Sequence, residues 1–87
     1  MTDILRALLV EDSEDDALLL VRSLRRGDYE LQYERVDTPE AMEAALARGK
    51  WDVVIADYAL PQFSGLAALK LLKQAGLDLP FIIVSGT

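Results

Sequence analysis

The sequence contains no cysteine and no histidine, and each absence excludes whole classes of functional site. Without cysteine the chain has neither a disulfide framework nor a thiolate metal site. Without histidine, zinc fingers, Ser-His-Asp triads and imidazole acid–base chemistry are excluded as well. Any chemistry of this chain is left to its other side chains and to the backbone.

Long apolar runs and positive charge are also scarce. No apolar run approaches the roughly 18 residues of a membrane span, and the N-terminus lacks the basic region and apolar stretch of a signal peptide. Nine Lys and Arg against 15 Asp and Glu give a net charge of -6, which argues against binding to a phosphate backbone. We therefore expect a cytoplasmic protein that binds neither nucleic acid nor membrane directly.

The composition predicts one small folded domain over residues 1–87. A length of 87 residues allows a single domain, and a hydrophobic fraction of 52% is too high for a disordered segment. No repeat, low-complexity tract or linker interrupts the chain. Because so short a chain buries only roughly 60–65% of its unfolded surface, we expect a thin stability margin.

Four segments are predicted to be strands. Residues 7–10, 53–56 and 81–84 are short continuous apolar runs, which are typical of strands buried on both faces of a parallel sheet. Residues 31–36 alternate polar and apolar side chains instead, as a less buried edge strand does.

Between the strands, apolar residues recur at helical spacing and predict three helices. The stripes are Ala17, Leu20, Val21 and Leu24; then Ala41, Met42, Ala45 and Leu46; then Leu66, Leu69 and Leu72 with Ala68 and Ala75 alongside. The order β-α-β-α-β-α-β predicts an α/β fold, in which a doubly wound parallel sheet carries helices on both faces.

Helix-terminal residues support this assignment. Ser13, Thr38 and Ser64 are predicted N-caps, and Gly76 stands where a left-handed residue would end the third helix. Two other apolar features are assigned to packing. We expect Trp51 to open the third strand as an anchor at the core edge, and residues 18–20, all leucine, to form core and flank of the first helix.

In such a sheet, ligands bind at the carboxyl ends of the strands, where the strand order reverses. The first strand runs into residues 11–16, which hold five acids, and the third strand ends at Asp57. If these strands are neighbours, Glu11, Asp12 and Asp57 converge. Their charges would repel and raise their pKa values, and an all-oxygen site with room for waters suits Mg²⁺. Asp15 and Asp16 are assigned instead to the dipole of the first helix.

Three blocks together resemble the receiver domain of two-component response regulators. They are residues 8–12, 53–66 and 82–86, and the match spans essentially the whole chain in the family's order and spacing. The resemblance implies a flavodoxin-like receiver fold. For this chain it implies a sheet that stops after the fourth strand, with strand order 2-1-3-4.

The resemblance also implies a phosphoacceptor site. Asp57 would take a phosphoryl group from a histidine kinase or a phosphotransfer protein and so switch a signalling output. Glu11 and Asp12 would hold Mg²⁺, together with Asp57 and the backbone carbonyl of Ala59. Such a module is a substrate of kinases rather than an enzyme in its own right.

Residues of two loops complete the implied site. Ser85 would supply the hydroxyl that turns toward the phosphate and senses it. Gly86 would leave space beside the phosphate and offer its backbone N–H. Pro61 and Gly65 would shape the loop that follows the phosphorylation site.

The sequence departs from the family after the fourth strand. The family continues with a helix, a fifth strand and a last helix, and its phosphate-pairing Lys and aromatic switch residue match no position here. Lys70 and Lys73 fall in the third helix and are not assigned to the role. We therefore interpret the chain as the N-terminal portion of a receiver. Its fourth strand would be an apolar edge that favours a homodimer or a swapped assembly.

Three alternatives remain open at this point. The chain could be a receiver-like interaction module that is not phosphorylated. It could also be a Mg²⁺-dependent aspartyl phosphatase or phosphotransferase, although such enzymes usually keep a second Asp where Ala59 stands. A flavin-binding domain of the same strand order is disfavoured, because the acidic loop after the first strand would repel phosphate.

Overall fold

The computed structural model describes residues 3–27, 29–57 and 64–84. Its elements are β1 (Asp3–Val10), α1 (Glu14–Leu24), β2 (Tyr29–Val36), α2 (Pro39–Arg48), β3 (Val53–Asp57), α3 (Gly65–Gln74) and β4 (Phe81–Val84). The four strands form one parallel sheet in the order β2-β1-β3-β4. The predicted alternation of elements and the predicted strand order are therefore confirmed.

Strand β1 is longer than its apolar run predicted. It begins at Asp3 and pairs with β2 over its whole length, but with β3 only from Ala7 onward. On the N-terminal side of Ala7, β1 is held by Asp52. The Asp52 N–H donates to the Arg6 carbonyl, and the Asp52 carboxylate accepts from the Arg6 N–H, both at 2.8 Å. The apolar pattern marked only the part of the strand that helices cover on both faces.

The helices cover both faces of the sheet, as predicted. Alternating β1 residues point to opposite faces, so that Ala7 and Leu9 pack toward α1 while Leu8 and Val10 pack toward α2 and α3. The core on the α1 face consists of Ala7, Leu9, Ala17, Val21, Leu31, Val53 and Ile55. The core on the other face consists of Leu8, Val10, Val36, Met42, Ala45, Leu46, Val54, Ala56, Ala68 and Leu72.

Each helix begins at a hydroxyl N-cap, as predicted. The side chains of Ser13, Thr38 and Ser64 accept hydrogen bonds from the N–H groups three residues later, at 3.2, 3.1 and 3.1 Å. Gly76 has the left-handed φ of 74° that was expected after the third helix. The Ser13 cap fixes the point at which the chain leaves β1 and turns into α1.

The stripe predicted for α3 is rotated from the one that is buried. Leu66 is 63% exposed, and Ala75 is exposed as well. The buried residues of α3 are Gly65, Ala68 and Leu72. The face of α3 that packs on the sheet therefore carries these three residues, whereas Leu66 lies on an exposed face.

The leucine run of α1 forms core and flank, as predicted, and Leu20 is the member that packs against the core. Leu18 and Leu19 are 46% and 59% exposed, whereas Ala17 and Val21 are buried. Trp51 lies two residues before β3 rather than opening it. It is nevertheless a core-edge anchor, because its indole Nε1–H donates to the Ala45 carbonyl at 2.9 Å and ties this segment to α2.

Among the residues described, no helix is long and apolar enough to span a membrane.

Burial within α3 leads to a test of the core. Leu72 is 2% exposed and Leu66 is 63% exposed on the same helix, so they form a matched pair. We expect Leu72→Ala to lower the free energy of unfolding by about 2–5 kcal/mol, because it leaves a cavity. Leu66→Ala should change it by less than about 0.5 kcal/mol. Urea denaturation measures both, and equal effects would contradict the packing described.

Strand β4 is the edge of the described sheet, and its Ile82 and Ile83 are 49% and 39% exposed. We expect the 87-residue chain to self-associate through this edge, because unpaired backbone groups beside apolar side chains recruit a second strand. Ile82→Lys should shift the population toward monomer in light scattering. Leu66→Lys, a charge placed on an exposed helix position, should not. A wild-type chain that stays monomeric and unfolds cooperatively would contradict the expectation.

Candidate functional site

Three carboxylates meet at the carboxyl edge of the sheet. Strands β1 and β3 pair in parallel with Val10 opposite Ala56, so Glu11, which follows β1, lies beside Asp57, which ends β3. The ligand oxygens of Glu11, Asp12 and Asp57 all lie within 4.8 Å of one another. This separation is short enough for one cation to contact all three residues.

The three carboxylates differ in their access to solvent. Glu11 and Asp57 are 3% and 7% exposed, whereas Asp12 is exposed. Within the described part of the chain, Glu11 and Asp57 are the buried charged residues. The cluster is therefore closed on its protein side and open toward water on the side of Asp12.

Glu11 is held by contacts to both its backbone and its side chain. Its N–H donates to the Val36 carbonyl at 3.0 Å, and its carbonyl accepts from Arg35 Nη1 at 3.2 Å. Its carboxylate accepts from the Ser13 N–H at 3.1 Å. The end of β2 and the start of α1 thus fix this residue from opposite directions.

Burial raises the pKa of the Glu11 carboxyl from 4.5 to about 7. Desolvation is the main cause, because it penalises the charged form. The charge of Asp57 and hydrogen bonds with Asp12 and Asp57 raise the pKa further, while the Ser13 N–H lowers it. Repulsion between the acids was expected from the sequence, but removal of water is the larger contribution.

The cluster borders a cleft of about 190 Å³ between α1 and β4. Its lining residues are Glu11, Asp16, Leu19, Leu20, Ser23, Asp57 and Val84. A larger cavity of about 400 Å³ lies between the ends of α2 and α3, but Glu43 is the one ionisable residue in its lining. The smaller cleft is therefore the better candidate for chemistry, because carboxylates converge there.

The donor set fits a hard divalent cation. Mg²⁺ prefers oxygen ligands and keeps several waters, and this cluster supplies carboxylate oxygens with an open side for water. The raised pKa of Glu11 points the same way, since a divalent cation would compensate the negative charge that burial disfavours. Glu11, Asp12 and Asp57 are the residues that would hold the ion.

Several residues of the predicted site lie outside the described residues. They are Ala59, Pro61, Ser85 and Gly86, and their roles stay predictions. Gly65 is described and is buried at the start of α3. A Cβ there would lie 3.5 Å from the Asp57 carbonyl and 3.7 Å from the Ile83 side chain, which are ordinary contact distances. Packing around Gly65 therefore does not by itself require glycine.

Sequence reasoning missed Arg35, whose guanidinium reaches the backbone of Glu11. The sequence held a signal for it. Arg35 is the penultimate residue of β2, and β2 was predicted to lie beside β1, whose end carries the acids. Because β2 is the neighbour of β1, a positively charged side chain at the carboxyl end of β2 is expected near the carboxylates that follow β1.

Residues 7–87 match the response regulator receiver domain. The chain belongs to this family. A curated relative is the transcriptional regulatory protein DltR of Streptococcus agalactiae serotype III (strain NEM316), which is 33% identical over 82 residues. The alignment covers 94% of this chain and 36% of DltR, so the receiver spans about a third of the length of that relative.

Two solved structures have the same fold as this receiver. The MaeR response regulator bound to beryllium trifluoride has a TM-score of 0.78 at 20% identity, over 100% of this chain and 69% of that chain. The other is the receiver domain of Ssk1 in a co-crystal with the histidine phosphotransfer signalling protein Ypd1 of Saccharomyces cerevisiae. It has a TM-score of 0.61 at 25% identity, over 98% of this chain and 64% of that chain.

The raised pKa of Glu11 predicts how stability depends on pH. The folded carboxyl has a pKa of about 7 and the ordinary value is 4.5, so the folded chain binds more protons between these values. Stability contributed by Glu11 should be fully present below pH 4.5 and be lost as the pH rises through 7. Glu11→Gln, which cannot ionise, should remove this part of the slope.

Urea denaturation of the metal-free protein across this pH range measures the effect. The quantity of interest is the difference between wild type and Glu11→Gln, because contributions from distant carboxylates then cancel. Parallel stability curves for the two proteins would show that Glu11 keeps an ordinary pKa. In the presence of Mg²⁺ the wild-type curve should fall less steeply, since binding requires the ionised carboxylate.

Proposed function

We propose that this receiver accepts a phosphoryl group on Asp57 in a Mg²⁺-dependent reaction and thereby switches the output of a two-component phosphorelay. The observation that carries the proposal is the position of Asp57, buried at the end of β3 with the oxygens of Glu11 and Asp12 within 4.8 Å. Membership of the receiver family supports the same assignment.

The transfer needs one nucleophile from the chain. An oxygen of the Asp57 carboxylate attacks the phosphorus atom of a phosphohistidine. The P–N bond breaks, its electron pair stays on the imidazole nitrogen, and that nitrogen takes up a proton from solvent. The product is an acyl phosphate on Asp57. Little covalent chemistry is asked of the protein, because in-line positioning and charge neutralisation dominate the barrier to phosphoryl transfer.

Burial gives Asp57 a fixed position for in-line attack. Asp57 is 7% exposed and lines the cleft between α1 and β4. Bound Mg²⁺ would neutralise charge on the phosphoryl oxygens. Glu11 and Asp12 would hold the ion beside Asp57, together with the Ala59 carbonyl.

Two groups after β4 complete the proposed site. The Ser85 hydroxyl would donate to a phosphoryl oxygen and report that the phosphate is present. The Gly86 N–H would provide a second donor at a position with no side chain. Donors aimed at developing negative charge lower the barrier in a site from which water is excluded.

The proposed phosphodonor is a histidine kinase or a histidine phosphotransfer protein. The solved co-crystal of the Ssk1 receiver with Ypd1 supports a partner of this class. The net charge of -6 supports a module that regulates through other proteins rather than through direct contact with nucleic acid. In this role residues 1–87, the N-terminal portion of a receiver domain, act in the cytoplasm. They are a substrate of kinases rather than an enzyme.

Phosphorylation of Asp57 is tested with a small phosphodonor. The chain is incubated with acetyl phosphate and Mg²⁺, and the acyl phosphate is detected by intact mass and by its lability to hydroxylamine. We expect modification of wild type and none of Asp57→Asn, because the amide cannot act as the nucleophile. Omission of Mg²⁺ should abolish the signal.

Asp78→Asn provides the matched control. Asp78 is exposed before β4, away from the carboxylate cluster, so this variant should be modified like wild type. A protein that extends past residue 87 is run in parallel. Modification that is independent of Asp57, or none in either protein, contradicts the proposal. Modification of the longer protein alone would show that the segment after residue 87 is required.

A further inference from the structure

The end of β2 holds Glu11 at both of its backbone polar groups. The Glu11 N–H donates to the Val36 carbonyl at 3.0 Å, which continues the β1–β2 ladder by one step. The Glu11 carbonyl accepts from Arg35 Nη1 at 3.2 Å. At this carbonyl, a side chain donates the hydrogen bond that a backbone N–H would donate within the ladder. Backbone rotation on both sides of Glu11 is therefore restricted by β2.

The carbonyl that Arg35 contacts belongs to the peptide group between Glu11 and Asp12. Peptide groups are planar, so the direction of the Glu11 carbonyl also fixes the direction of the Asp12 N–H and the position of the Asp12 Cα. These two residues provide two of the three carboxylates in the cluster. The hydrogen bond from Arg35 therefore acts on the peptide group that joins these two residues.

The guanidinium of Arg35 is itself oriented by a neighbour. Its Nη1 lies 3.8 Å from an Asp37 carboxylate oxygen, and the Arg35 side chain is 33% exposed. A guanidinium is a rigid planar fork with several N–H donors, so it can face a carbonyl and a carboxylate together. The lysine ammonium is a compact charge on a flexible stem and holds neither direction as firmly.

The geometry points to Arg35 as a positioning residue that presents Glu11 and Asp12 to Mg²⁺ and so sets the affinity of the site. This inference rests on the proposed function, because it assumes that the carboxylate cluster binds the ion. Residues that orient metal ligands from outside the coordination sphere change metal affinity by about 10–100-fold when they are replaced.

Positioning and electrostatics predict opposite results at Arg35. A positive charge beside a cation site repels the ion, so its removal on electrostatic grounds alone should tighten Mg²⁺ binding. Removal of a positioning contact should weaken it. The sign of the change in the dissociation constant therefore distinguishes the two roles.

The experiment measures the dissociation constant of Mg²⁺ by isothermal titration calorimetry for wild type, Arg35→Gln and Arg35→Lys. We expect both variants to bind Mg²⁺ about tenfold more weakly. Arg35→Lys keeps the charge and most of the packing, so it stays informative even where Arg35→Gln impairs folding. Thermal unfolding without Mg²⁺ is recorded for each variant, because a merely structural role would lower stability and leave the dissociation constant unchanged.

Arg48→Gln is the matched control. Arg48 forms an ion pair with Glu34, which precedes Arg35 in β2. Because side chains alternate along a strand, the Glu34 side chain points to the face of the sheet opposite Arg35. This variant removes the same charge and should leave Mg²⁺ affinity unchanged. Tighter or unchanged binding by Arg35→Gln, or wild-type binding by Arg35→Lys, overturns the inference and leaves the proposed function standing. A wild-type chain that binds no Mg²⁺ overturns both.

Discussion

The parallel pairing of β1 with β3 is the constraint on which the rest of the structure depends. Residues 7–10 and 53–56 are buried on both faces, and this burial holds the two strands in one register. Three like charges at the end of these strands repel one another, so the cluster would not form without that apolar contact. A slip of one residue would turn Asp57 to the other face of the sheet and away from Glu11.

The carboxylate cluster opposes stability at the residues that are proposed to bind Mg²⁺ and to accept the phosphoryl group. Glu11 and Asp57 are largely removed from water, and desolvation disfavours the charged form of a carboxyl group. The Ser13 N–H, at the positive end of the α1 dipole, donates to the Glu11 carboxylate and partly offsets this loss of hydration. The pKa of Glu11 is nevertheless raised, so a ligand that brings positive charge would favour the ionised form of this carboxyl. Occupancy of such a site would change the energy of the surrounding fold, as the proposed switching role requires.

The sequence predicted the features that follow from short-range chemistry. Three apolar runs and one alternating segment identified the four strands, and Ser13, Thr38 and Ser64 identified where each helix begins. The convergence of the acids followed from strand order. Helix orientation was predicted less well, because periodicity does not say which of two apolar stripes faces the sheet, and Leu66 was placed inside although it is exposed.

Long-range polar contacts could not be predicted in the same way. The extension of β1 to Asp3 depends on a pair of hydrogen bonds between Arg6 and Asp52, residues that are distant in sequence. Strand order places Arg35 near the acids, but its hydrogen bond to the Glu11 carbonyl also depends on a rotamer that spacing does not encode. The main cause of the raised pKa of Glu11, loss of hydration, depends on how deeply the finished fold buries the group.

Trp51 gives the molecule an optical reporter at a useful position. It is the single tryptophan of the sequence, and its indole is bound to α2 just before β3 begins, while the acids gather where β3 ends. An ion in direct contact with the carboxylates does not touch the indole. Fluorescence from Trp51 therefore reports on the packing of α2 against the sheet. A change in Trp51 emission when Asp57 is modified would therefore report a change in packing around α2 rather than contact with the bound group.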